Sequence, residues 1–189
     1  MKSSHTHRLV FMVCVIATGF VLSACDQKDV KIEKSKREGW ISCISTAGKF
    51  SFDLPGKLKN SGSEDQLVNG VPIKTHFFLA EPDVSTAFSA TYTDFPVSIT
   101  NAPIAVLFDG GEKSALGSKG HLVSSTNSTN AGWPARRLII ERADGAWKID
   151  VFMLMARTRL VQLTVASKQT NDVSKDVEHF FDSLRIGTK

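Results

Sequence analysis

The chain has 189 residues, 42% of them hydrophobic and 22% charged, with 23 lysines and arginines against 19 acids. This is the composition of a globular protein, which excludes a disordered or fibrous chain. The near balance of charge gives no electrostatic case for a nucleic-acid partner, which would need a clustered basic face.

The chain opens with the basic residues Lys2 and Arg8 and an apolar run from Leu9 to Leu22, closed by the small residues Ser23 and Ala24. This is the three-part pattern of an export signal. The run is too short to cross a bilayer comfortably, because a spanning helix needs about 20 apolar residues. Leu22-Ser23-Ala24-Cys25 resembles the lipobox of bacterial lipoprotein precursors. The resemblance implies cleavage before Cys25 and acyl chains, palmitate among them, on its sulfur and amine. One chain binds a membrane only marginally, so two or three make the attachment stable. Asp26 resembles the signal that keeps such proteins in the inner membrane. The expected address is therefore the periplasmic side of a bacterial envelope membrane.

Residues 26–39 (DQKDVKIEKSKREG) interleave acids and bases and cannot bury enough apolar surface to fold alone, so they read as a flexible tether. Expected boundaries are a signal over 1–24, a lipid-anchored tether over 25–39 and one domain over 40–189. Trp40–Ser45 and Lys49–Leu54 predict a hairpin around Thr46-Ala47-Gly48. Lys57–Gly70 reads as a polar loop. Ile73, Thr75, Phe77 and Leu79 alternate, as do Phe88, Ala90 and Tyr92, the two-residue period of half-buried antiparallel strands. Pro103 opens a helix toward Leu116, expected to break near Asp109 because Gly110-Gly111 costs about 1 kcal/mol per glycine. Strands follow at His121–Ser125, Arg136–Arg142, Trp147–Met155 and Leu160–Ala166, with Asp144-Gly145 as a hairpin signal. Val173, Val177, Phe180, Phe181 and Leu184 form one apolar stripe of a final helix, with Asn171 as its expected cap. Consecutive strands with few helices predict an α+β fold, a central antiparallel sheet with helices packed on it.

Several of these residues carry a family likeness. Phe50-Ser51-Phe52-Asp53-Leu54-Pro55-Gly56, Thr91-Tyr92-Thr93-Asp94-Phe95-Pro96, Gly132-Trp133-Pro134-Ala135-Arg136 and Phe181-Asp182-Ser183-Leu184 resemble the recurring turns and core positions of PsbP-like proteins. Ala135 stands where glycine is usual. The likeness runs over about residues 40–187 and implies an α/β/α sandwich. Plant members of that family are extrinsic photosystem subunits and eukaryotic relatives bind a small GTPase, so the resemblance implies a binding or assembly module without catalysis or cofactor. Fold likeness alone names no partner.

The motifs of chemistry are sparse. His76, His121 and His179 are isolated in sequence, and no cysteine or histidine pair has metal-ligand spacing. No Gly-x-Ser-x-Gly elbow occurs, and Ser124–Thr129 reads as a strand end and loop. Glu64, Asp65, Asp94, Asp109 and Glu112 are carboxylates near turns, with nothing to single out a pair. Cys43, in an alternating apolar stretch, reads as a buried inert thiol. Arg136-Arg137, with Arg142 on a strand and Arg157 and Arg159 in a turn, form the one basic concentration, which reads either as solvated edge and turn charges or as a patch for an acidic partner or lipid headgroup. Trp133, Arg136 and Arg137 are the candidate partner surface. The expected function is a lipid-anchored, non-catalytic module binding another envelope protein. The alternatives are a carrier of a small ligand or lipid, or an envelope enzyme built from separated polar residues.

Overall fold

The computed structural model describes residues 30–68 and 70–187. The signal segment, Cys25 and Asp26 lie outside the described residues. The strands are β1 (Val30–Lys34), β2 (Trp40–Ser45), β3 (Phe50–Pro55), β4 (Asn60–Val68), β5 (Val71–Asp83) and β6 (Thr86–Asp94). Helices α1 (Val97–Thr100) and α2 (Ile104–Leu116) follow, then β7 (Gly120–Asn130), β8 (Trp133–Arg142), β9 (Trp147–Ala156) and β10 (Arg159–Lys168). Helix α3 (Ser174–Asp182) and the short β11 (Arg185–Ile186) close the chain. Two antiparallel sheets result: a seven-stranded one in the order β4-β5-β6-β10-β9-β8-β7 and a four-stranded one in the order β1-β2-β3-β11.

Alternation along each strand decides what lies between the layers. On β9, Phe152 and Leu154 face the four-stranded sheet and α3, while Ile149, Val151, Met153 and Met155 face α2. The first interlayer space is aromatic: Trp40, Phe50, Phe52, Phe78, Phe88, Tyr92, Phe180 and Phe181 meet there. The second is aliphatic, with Phe108 and Ala115 of α2 over Leu138, Ile140, Val151 and Met153. Covered on both faces, β9 reads as a nearly continuous apolar run.

This corrects the expected α/β/α sandwich with helices packed on one sheet. The layer over the aromatic face is a second sheet, and the protein is mostly β, of the β-sandwich type. The β2–β3 hairpin carries Cys43, Phe50, Phe52 and Leu54 on one side, a face that must be buried. Its two edges are completed by β1 and β11 instead of by the large sheet.

Five local expectations change with it. The tether does not run to Gly39, because Val30–Lys34 pairs with β2 along its whole length, Ile32 opposite Cys43. The loop over Lys57–Gly70 contains β4, an edge strand whose polar residues face water while its backbone pairs with β5. Ser124–Thr129 belongs to β7. Helix α2 runs unbroken through Gly110-Gly111, and a Cβ at Gly111 would sit 2.7 Å from Met153 Sδ, so the packing excludes a side chain there. Its glycine lets the helix lie close on the sheet. At α3 the cap position is Val173, not Asn171, and Asp172 accepts hydrogen bonds from the backbone and hydroxyl of Ser174. Those bonds hold the Asp172 carboxyl below its ordinary pKa.

Candidate functional site

The expected partner surface is divided by strand alternation. Trp133 and Arg137 of β8 lie on the face that carries α3, whereas Arg136 lies on the face covered by α2. Arg136 is buried, with its guanidinium over the Phe108 ring at 5.4 Å. Its Nε donates to Asn127 Oδ1 at 2.8 Å, and its Nη1 to Asp109 Oδ1 at 2.7 Å and Glu112 Oε2 at 3.4 Å. Asp109 and Glu112 are three apart on α2 and so share one face of it. The two carboxylates are brought together around a guanidinium, which makes them a clasp between helix and sheet. Trp133 is half-buried, packed against the aromatic core and not free in a loop.

Arg137 works on the opposite face. It stacks over Phe181 at 5.3 Å and donates to Glu178 of α3 at 2.7 Å. That bond to Glu178 raises its pKa further above the ordinary arginine value. Beneath it lies Asp150, a fully buried carboxylate with Lys148 Nζ 3.0 Å from Oδ2 and Arg137 Nη2 3.7 Å from Oδ1. Asp150 Oδ1 and Arg137 Nε are buried without a hydrogen-bond partner. No sequence motif singles out Asp150. Its one signal was an acid inside the apolar run of β9.

A third cluster joins β3 to α3. Ser35 Oγ donates to Asp53 Oδ2 at 2.5 Å, and His179 Nε2 lies 3.2 Å from the same oxygen. His179 packs edge-on against Trp40, and Arg37 covers the other flank of that ring while pairing with Asp176. Serine, histidine and aspartate are all present, but both partners are wired to the aspartate. Nucleophilic activation requires the serine on the histidine, so the arrangement ties segments together. His76 stacks on Tyr92 at 4.4 Å, and Arg159 covers Tyr92 at 4.9 Å. Arg159 grips Asp94 through two bonds of 2.7 and 2.5 Å and reaches the carbonyls of Ala47 and Gly48.

The remaining expected residues stay apart. His76 on β5 and His121 on β7 are separated by five strand spacings, about 24 Å. Glu64 and Asp65 lie on β4, and Asp65 pairs with Lys74. Among the described residues no group of three histidines, cysteines or carboxylates converges as metal ligands would. Cys43 is buried, and desolvation with the nearby Asp53 charge pushes its thiol up to about 12, which matches the inert reading.

The most accessible feature is β7. It is the last strand of the large sheet, and from Ser124 to Asn130 it pairs without interruption with Ile139 to Trp133, after a bulge near Val123. It carries no lysine, arginine, acid or proline.

No protein-family model and no curated protein matches the chain. Solved structures do match. The solution structure of cyanobacterial PsbP (CyanoP) from Synechocystis sp. PCC 6803 aligns with a TM-score of 0.55 at 13% identity, over 87% of this chain and 98% of that one. The chain has a PsbP-like fold. A second structure, PA94 of unknown function from Pseudomonas aeruginosa, aligns at 12% identity with a TM-score of 0.44, over 64% of this chain and 92% of that one. At this identity the likeness concerns architecture alone.

Proposed function

We propose that the protein is a non-catalytic binding module, held at a bacterial envelope membrane by lipid on Cys25, that takes an extended segment of another envelope protein along β7. The observation that carries this reading is the uncharged free edge Ser124–Asn130. Exposed edges are ordinarily guarded by lysines, prolines or inward charges, because open N–H and C=O groups pair with any extended chain. An unguarded edge seven residues long suits strand addition, where backbone bonds give affinity and flanking side chains give selectivity. Thr126 and Ser128 lie on the same face of the sheet as Trp133 and Arg137, beside α3, and form the flank such a segment would read. The polar groups an enzyme would use are committed to one another: Arg136 to two carboxylates, and Asp53 to Ser35 and His179.

In-situ crosslinking from probes at Ser124 and Asn130 tests the edge, compared with a Thr126→Lys/Ser128→Lys variant and with Trp133→Ala. Loss of one reproducible neighbour in the lysine variant, with melting unchanged, is the expected result. Identical neighbours in every variant would sink this surface. The anchor is tested separately by Cys25→Ser, which is expected to abolish acyl labelling.

A further inference from the structure

One end of the sandwich gathers features that the edge strand does not explain. Asp94, at the end of β6, is clamped by Arg159, whose guanidinium also holds the Ala47–Gly48 turn between β2 and β3. Val30 pairs with Ser45, one residue before that turn, so the chain enters the domain at this end. The tip of the β4–β5 hairpin projects here too, since Thr75 is opposite Thr93 and the strands continue to Val68 and Val71. Helix α2 starts here, because Asp109 reaches Arg136 near the middle of β8 and the helix ends next to Gly120 at the far end.

This end is where the exposed apolar side chains collect. Leu67 at the hairpin tip is 74% exposed, Val97 of α1 63% and Val106 of α2 56%, with Ile104 beside them. From Phe95 to Phe108 there is no charged residue. Lys49 and Arg157, each at a turn with positive φ, are exposed at the same end and have no ion pair among the described residues. Of the acids nearby, Asp94 is paired with Arg159 and Asp65 with Lys74, while Glu64 on β4 has no ion pair among the described residues. Toward the opposite end the exposed large apolar residues are Val84, in the β5–β6 turn, and Val123 on β7, which stand five strand spacings apart and form no cluster.

We infer that this end of the sandwich rests on the membrane, with Leu67, Val97, Ile104 and Val106 in the interfacial layer and Lys49 and Arg157 against anionic headgroups. The inference rests on lipid at Cys25. Val30 is five positions from Cys25, and five residues span at most about 17 Å when fully extended. A lipid-bearing cysteine therefore draws the entry end to the bilayer and leaves the far end away from it. Apolar side chains flanked by basic ones suit an interfacial surface, where burial and attraction to anionic lipid add.

The test uses the full lipidated protein in phosphatidylethanolamine–phosphatidylglycerol vesicles carrying a lipid-bound quencher. An environment-sensitive fluorophore is placed on a cysteine at Val97, Val106 or Val84, one per sample; the inert Cys43 leaves each label unique. Quenching several-fold stronger at Val97 and Val106 than at Val84 is expected. Equal, water-like emission at all three positions would overturn the inference. The mass of the N-terminal peptide from the same samples reports acylation independently. Acyl chains with water-like probes remove the docking surface and leave the anchor; quenched probes without acyl chains do the reverse.

Discussion

Replacing Arg136 by methionine separates a structural clasp from a docking residue. The side chain is 8% exposed and makes two hydrogen bonds of 2.7 and 2.8 Å, with Glu112 at 3.4 Å. A bond to a charged group contributes about 1.5–3 kcal/mol. Asp109 is 68% exposed and returns to water at little cost. Glu112 is more enclosed and keeps only its bond from Ser125 Oγ. Methionine restores most of the apolar contact with Phe108 but not the attraction of a cation to its ring, worth about 0.5–2 kcal/mol. The balance is a loss of about 3 kcal/mol, which in a domain of this size lowers the melting temperature by about 6–12 °C. Thermal unfolding followed by circular dichroism measures it, and Arg136→Lys should lose roughly half as much, keeping the charge without the planar fork. A methionine variant melting within about 2 °C of the wild type would show that Arg136 holds nothing together, and would return it to the candidate surface.

Three further outcomes are expected. Arg137→Met leaves the buried Asp150 with Lys148 alone and should cost about 3 kcal/mol in urea unfolding, whereas Glu178→Gln, which breaks a largely exposed pair, should cost less than about 1 kcal/mol. Gly110→Ala meets open space within α2 and should stabilise by about 0.5–1 kcal/mol, while Gly111→Ala pushes on the fully buried Met153 and should destabilise by about 1–2 kcal/mol; differential scanning calorimetry separates the two signs. Cys43 should resist a thiol reagent at neutral pH until the protein is denatured. Its thiol stays protonated in the fold to about 12, against an ordinary 9.0, so its contribution to stability is complete below pH 9 and declines from there to pH 12 by up to about 1.4 kcal/mol per unit. Cys43→Ala should flatten that alkaline decline.

The apolar strands were legible because their residues name their own faces. Phe50, Phe52 and Leu54 alternate and are buried together, and the stripe of α3 meets the sheet as spaced. β4 was hidden because an edge strand of polar residues owes its shape to its partner's backbone. β1 had a faint signal in Val30 and Ile32, outweighed by the charges between them. β5 alternates apolar residues on both faces, and the core takes Phe78 and Ala80 rather than Phe77 and Leu79. The basic patch failed for a reason its own sequence contained: adjacent residues of a strand point to opposite sides, so Arg136 and Arg137 could not share a surface. The ion pairs that hold each of them come from helices distant in the chain, and no spacing rule reaches that far.

The order of strands in the smaller sheet has a kinetic side. Its first three members come from the start of the domain, and its fourth, β11, from the last described residues. Phe180, Phe181 and Leu184, which fill the space between the sheets, are just as late. A chain made N-terminus first therefore carries Phe50 and Phe52 uncovered until nearly all of the domain is present. Closing contacts of such long range makes folding slow, and the interval leaves the β2–β3 aromatics open to other chains until the C-terminal helix and β11 dock.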